Sequence, residues 1–100
     1  MITNSDILDF TLMDDANKAL KVIEALRAAK RQPAQTALPI LNGLVGLSRG
    51  DSVQRLEVED ARANTFMAIC EVAKALHRGT PADQLWALAI AAAERWISLV

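Results

Sequence analysis

Apolar residues recur every three or four positions along most of this chain, and that spacing predicts helices. Ala and Leu, both strong helix formers, dominate the long stretches, and no stretch alternates apolar with polar residues as a half-buried strand does. Prolines and glycines, which interrupt helices, are confined to residues 33–50 and 79–81. The sequence therefore predicts an all-α protein: a small bundle of three long helices and one short one.

The first predicted helix covers residues 4–31. Its apolar positions fall within roughly 60° of one another at about 100° per residue, and they are Leu8, Leu12, Ala19, Ile23 and Leu26. This favours one continuous helix. An alternative stays open, in which Asp14 or Asp15 caps a second helix after a break near Met13.

Helix-breaking and helix-capping residues bound the second and third helices. A short helix is predicted over residues 38–47, because Pro39 would remove a backbone hydrogen bond from a helix that began at Pro33. Asp51 is expected to cap the third helix, with Gln54 completing a capping box.

Gly79 is expected to end the third helix, and the residues after it to begin the fourth. Thr80 is predicted as the N-cap and Pro81 as a residue of the first turn, and the helix runs to about Leu99. A connection this short predicts that the third and fourth helices form an antiparallel αα-hairpin.

The fourth helix is apolar over about 200° of its circumference, roughly twice what a surface helix needs. Either it is the central helix of the bundle, or another chain covers one of its flanks. Both interpretations stay open. Our prediction is a homo-oligomer whose contact includes Trp86, Trp96 and Ile97, since burying tryptophan removes a large apolar area from water.

Arg62 is placed on the apolar side of the third helix, one turn after Glu59. A charge in that position is rarely left without a partner. Arg62 either lays its stem over apolar neighbours with its charged head in water, or pairs with Glu59, or anchors a protein interface. We include both residues among the predicted interface positions.

Length and charge narrow the class of protein. The chain has 100 residues with a formal net charge of −1, which predicts a single domain over residues 1–100 and argues against binding to nucleic acid. The first six residues lack the basic segment of a signal peptide, and the longest uncharged apolar run, residues 85–93, is about half of a bilayer span. A cytoplasmic protein without a membrane segment is expected.

Few residues suggest a catalytic or metal-binding site. Cys70 and His77 lie seven positions apart on one helical face, too far apart to hydrogen-bond, and the chain has no second Cys or His to complete a zinc site. We expect a buried, inert Cys70 and a His77 that complements the helix dipole. No catalytic residue, metal or cofactor is predicted, and the protein is not expected to be an enzyme.

A group of basic residues is expected to form a solvated face, because Glu24 interrupts it and no aromatic residues are interspersed: Lys18, Lys21, Arg27, Lys30 and Arg31. The functional prediction is a small helical regulator or inhibitor that acts by protein–protein contact, with itself or with an unidentified larger protein. Two alternatives stay open: a small-ligand site between the first and fourth helices near Trp86, and a nucleic-acid-binding regulator that uses the basic face.

Overall fold

The computed structural model describes residues 15–48 and 55–100, and within these ranges it contains four helices and no strand. This confirms the predicted all-α bundle. The stretch of the first predicted helix before Asp15, with the alternative break near Met13, lies outside the described residues. In chain order the helices are α1 (Asp15–Ala29), α2 (Ala34–Leu47), α3 (Leu56–Arg78) and α4 (Asp83–Ser98).

Each helix makes its main contacts with two others. Helix α1 packs on α2 and α4, and α3 packs on the same two helices from the other side. The core between them is made of aliphatic residues and two tryptophans, and its largest fully buried side chains include Trp96, Leu26, Leu41 and Ile69. Helix α4 therefore does not occupy a central position among the described helices, since its main neighbours are α1 and α3.

The second helix is longer than predicted. It begins at Ala34, with Pro33 as its N-cap, and contains Pro39. The Pro33 carbonyl accepts hydrogen bonds from the N–H groups of Thr36 and Ala37, both at 2.9 Å, so a full turn forms before Pro39 is reached. Pro39 lacks the N–H that would donate to the Gln35 carbonyl, but both residues are exposed, so water can take that donor's place.

The predicted start of the third helix is wrong. Arg55 has an extended backbone, with φ −59° and ψ 147°, and α3 begins at Leu56. The Arg55 carbonyl accepts hydrogen bonds from Val58 and Glu59, each at 3.0 Å, and so forms the first turn. Residues 51–54, including the predicted capping box, lie outside the described residues.

The end of α3 confirms the role of Gly79 and corrects that of Thr80. Gly79 has φ 70°, in the left-handed region that favours glycine. The Thr80 N–H and hydroxyl both donate to the Ala75 carbonyl, at 3.0 and 3.3 Å. Thr80 therefore caps the end of α3 rather than the start of α4, which begins at Asp83, so Pro81 precedes the helix.

Four residues connect α3 to α4, and the far ends of the two helices also meet. The Arg55 guanidinium, just before α3, donates to the Leu99 carbonyl, just after α4, at 2.7 Å. This contact is consistent with the predicted antiparallel hairpin.

Candidate functional site

The two tryptophans of α4 belong to the core of this chain. Trp96 is fully buried and Trp86 almost so, on the same face of α4 as Ala89 and Ala93. The Trp96 indole N–H donates to a carboxylate oxygen of the buried Asp15 at 3.4 Å, across the α1–α4 contact. Neither ring offers exposed area to a second chain, which corrects the prediction that they form an intermolecular contact.

Ile97 is half-buried and packs against the edge of the core. On a helical wheel it lies about 60° from the centre of the buried face of α4, with Ile90 beside it. Its participation in an intermolecular contact stays a prediction.

Arg62 pairs with Glu59, which confirms one of the interpretations that the sequence leaves open. The side chain of Arg62 is only 13% exposed, and it forms an ion pair with the Glu59 carboxylate one turn earlier. A second guanidinium nitrogen of Arg62 donates to the Ser48 carbonyl at 3.1 Å. The Ser48 hydroxyl in turn donates to the Leu44 carbonyl at 2.9 Å. Arg62 thus ties α3 to the end of α2, and its use as an interface anchor stays a prediction.

A ridge of apolar side chains runs along one flank of α4, beside its core face, and ends one residue after the helix. We call it the α4 ridge, and it consists of Leu85, Leu88, Ala92 and Leu99. At 100° per residue these positions fall within about 60° of one another. Leu88 is 62% exposed and Ala92 is half-buried, whereas Leu85 and Leu99 are half-buried residues that also pack against the core. Spacings of three, four and seven residues are those of a seam between two packed helices.

Exposed apolar residues continue the α4 ridge at one end of the bundle. Leu56 is 77% exposed and Val100 is 42% exposed. The hydrogen bond from Arg55 to the Leu99 carbonyl makes the start of α3 and the end of α4 neighbours. Leu56 and Val100 therefore lie near Leu99, beside the exposed ion pair of Arg55 and Glu57, an arrangement that the sequence does not predict because the predicted α3 begins several residues earlier.

A groove of about 390 Å³ lies between α2 and α3. Helix α2 lines it with Leu38 and Asn42, and the last two turns of α3 line it with Ala73, Lys74, His77 and Arg78. The α2 wall therefore presents an apolar side chain and a side-chain amide, whereas the α3 wall is mostly basic. The sequence does not predict this groove, because the groove forms between two helices and the pattern of one helix does not show how it lies against another.

A second depression, of about 370 Å³, lies between α1 and α4. Its lining residues are Arg27, Lys30, Arg31 and Ile90. Arg27 lies 3.7 Å from the Glu94 carboxylate, across the same contact. Trp86 does not line this depression, and the ligand site near that residue stays a prediction.

Cys70 is half-buried rather than buried, and His77 is exposed. Both lie on the flank of α3, away from the centre of its buried face, which explains why neither joins the core. The described part of the chain contains no group of three or more side chains placed to hold a metal ion.

Within residues 15–48 and 55–100, none of the helices combines the length and the hydrophobicity that crossing a bilayer requires. Comparison of the chain with protein-family models, with curated proteins and with solved structures finds no match.

Proposed function

We propose that this protein acts by protein–protein contact and associates with a second copy of itself through the α4 ridge. The observation that carries the proposal is Leu88, which projects 62% of its surface into solvent from the middle of an apolar ridge. An exposed leucine by itself is ordinary, but one that continues a helical seam is typical of a surface that another helix covers.

The spacing of the α4 ridge suits a second copy. Leu85 and Leu99 each lie seven residues from Ala92. If two α4 helices pack antiparallel about a two-fold axis at Ala92, Leu85 of each copy meets Leu99 of the other. A self-complementary patch of this kind is what a two-fold symmetric dimer requires.

The charge distribution also favours such a contact. Residues 84–93 of α4 include no Asp, Glu, Lys or Arg, so a second helix laid along them removes no charged group from water. Two exposed charged residues lie beside the α4 ridge: Arg55, which donates to the Leu99 carbonyl, and Arg95. The aliphatic stem of Arg95 can cover Leu88 of the second copy while its guanidinium stays in solvent.

The size of the α4 ridge sets the expected strength of association. Helix α4 has 16 residues and is therefore about 24 Å long. A contact between two helices of this length lies near the lower limit of stable interfaces, even with Leu56 and Val100 included. We therefore expect a dimer that dissociates at micromolar concentrations, as suits a regulator that exchanges its own copy for a larger partner.

The proposed role is non-catalytic: a regulator or inhibitor of a larger protein in the cytoplasm. The one cysteine, Cys70, is a free thiol, which is compatible with a reducing compartment.

Sedimentation equilibrium between about 1 and 500 µM tests the proposal, with Leu88→Glu as the disruptive variant. The wild type should pass from monomer to dimer over this range, and Leu88→Glu should remain a monomer throughout, because it sets two carboxylates into the contact. The matched control is Leu20→Glu, the same change at a leucine of α1 that is 44% exposed. A monomeric wild type, or a control as disruptive as Leu88→Glu, would contradict the proposal.

A further inference from the structure

The groove between α2 and α3 has basic residues on one wall and no acidic residue on the other. Lys74, His77 and Arg78 line it from α3. Helix α2, from Ala34 to Leu47, contains no Asp, Glu, Lys or Arg, so it provides no carboxylate to face them. The contact between α1 and α4 differs, because there Arg27 meets Glu94 at 3.7 Å.

Basic side chains at the end of a helix often donate hydrogen bonds to its last carbonyl groups. In α3, two of these carbonyls already accept hydrogen bonds from Gly79 and Thr80. The Ala75 carbonyl accepts from the N–H and hydroxyl of Thr80, and the Leu76 carbonyl accepts from the Gly79 N–H at 3.3 Å. These bonds leave the donors of His77 and Arg78 available at the groove.

The ion pair between Lys74 and Glu71, beside the groove, is a weak one. Lys74 lies 3.2 Å from Glu71, one turn earlier, and both side chains are more than half exposed. Exposed pairs of this type contribute little and exchange readily with other partners. Within the described residues, neither His77 nor Arg78 forms an ion pair.

We propose that this groove binds a small organic anion, a phosphate monoester or a carboxylate attached to a compact apolar group. Arg78 and Lys74 would meet the anionic oxygens, as guanidinium and ammonium groups do in phosphate and carboxylate sites. Leu38 and Ala73 would contact the apolar body, and the Asn42 amide would fix its orientation. The volume of about 390 Å³ lies within the range of small-molecule sites.

The groove is built by α2 and α3, whereas the proposed dimer contact lies on α4. Ligand binding therefore does not depend on self-association, and either property can fail without the other.

The experiment is a titration of the ¹⁵N-labelled full chain with phenyl phosphate, followed by amide chemical shifts. Saturable shifts are expected at Asn42, Ala73 and His77. Inorganic phosphate alone and phenol alone should each bind at least about tenfold more weakly, because each makes only one of the two kinds of contact.

Two substitutions distinguish binding in the groove from a general attraction of the anionic ligand to positive charges on the protein surface. Arg78→Gln should weaken phenyl phosphate binding by about tenfold. Lys21→Gln removes one positive charge from an exposed position on α1, outside the lining of the groove, and should leave binding within about twofold, since solvent and salt screen exposed charges that do not touch the ligand. The absence of saturable shifts at the groove, or equal weakening by the two substitutions, would overturn the proposal.

Discussion

Two helix contacts of the bundle, α1 with α4 and α2 with α3, differ in how the polar and charged side chains that meet across them are paired. Across the first, Trp96 fills the core and donates to Asp15, and Arg27 meets Glu94. Across the second, a polar link is made near the start of α3, from Arg62 to the Ser48 carbonyl, and the other end opens into a groove. The difference lies in the neighbouring helix, because α4 offers a carboxylate and α2 has none.

This comparison shows why similar sequence signals lead to different surfaces. Arg27 near the end of α1 and Arg78 at the end of α3 both suit the negative end of a helix dipole. The charge that each one faces across its helix contact decides whether it is paired or available to a ligand.

The largest expected effect is at the α1–α4 contact. Trp96→Ala should destabilise the chain by about 3–5 kcal/mol, because it leaves a large cavity in the core and removes the partner of Asp15. Urea unfolding followed by circular dichroism measures the change, with Trp96→Phe as a smaller perturbation that keeps a ring. A loss below about 1 kcal/mol for Trp96→Ala would mean that the ring contributes little to the core.

A moderate effect, of opposite sign, is expected in α2. Gly46→Ala should stabilise the chain by about 0.5–1 kcal/mol, because alanine favours helix and a Cβ at that exposed position meets no atom within 4 Å. Gly79→Ala is the matched contrast and should destabilise, since Gly79 has φ 70°. Thermal unfolding compares the two variants, and a loss of stability in Gly46→Ala would show that α2 is not limited by its own helix propensity.

The smallest effect is expected from the exposed ion pair between α1 and α4. Glu94→Gln should change the free energy of unfolding by less than about 0.5 kcal/mol, because both side chains are more than half exposed. The same variant should make the neighbouring depression more positive and raise its affinity for inorganic phosphate. Unfolding measured at low and high salt checks the first expectation, and a cost above about 1 kcal/mol would contradict it.

Much of the fold could be predicted from the sequence, because periodicity and helix breakers are local signals. The end of α3 at Gly79 is one example, since its left-handed conformation follows from glycine itself. The role of Thr80 could not be predicted, because its hydroxyl could cap either the end of α3 or the start of α4, and the sequence suits both. The start of α2 differs from the prediction because Pro39 lies on the exposed face of the helix, where water can replace the N–H that proline lacks.

The site was harder to predict, for a physical reason. The wide apolar arc of α4 indicates that apolar residues extend beyond a single core face, but periodicity does not show which part of the arc faces the core. The two largest side chains, Trp86 and Trp96, were assigned to the outside, whereas the bundle buries them and leaves Leu88 exposed. The groove between α2 and α3 needs two helices in register, which no single helical pattern contains.

The most direct test of the proposed dimer is disulfide trapping at its two-fold axis. Ala92→Cys, made with Cys70→Ser, should oxidise rapidly to a covalent dimer, because two copies packed about Ala92 bring these Cβ atoms within disulfide range. Ala87→Cys in the same background is the control, since Ala87 is exposed on the opposite flank of α4. Covalent dimers of Ala92→Cys should form well before those of Ala87→Cys at micromolar concentration. Equal rates of cross-linking for the two variants would contradict it.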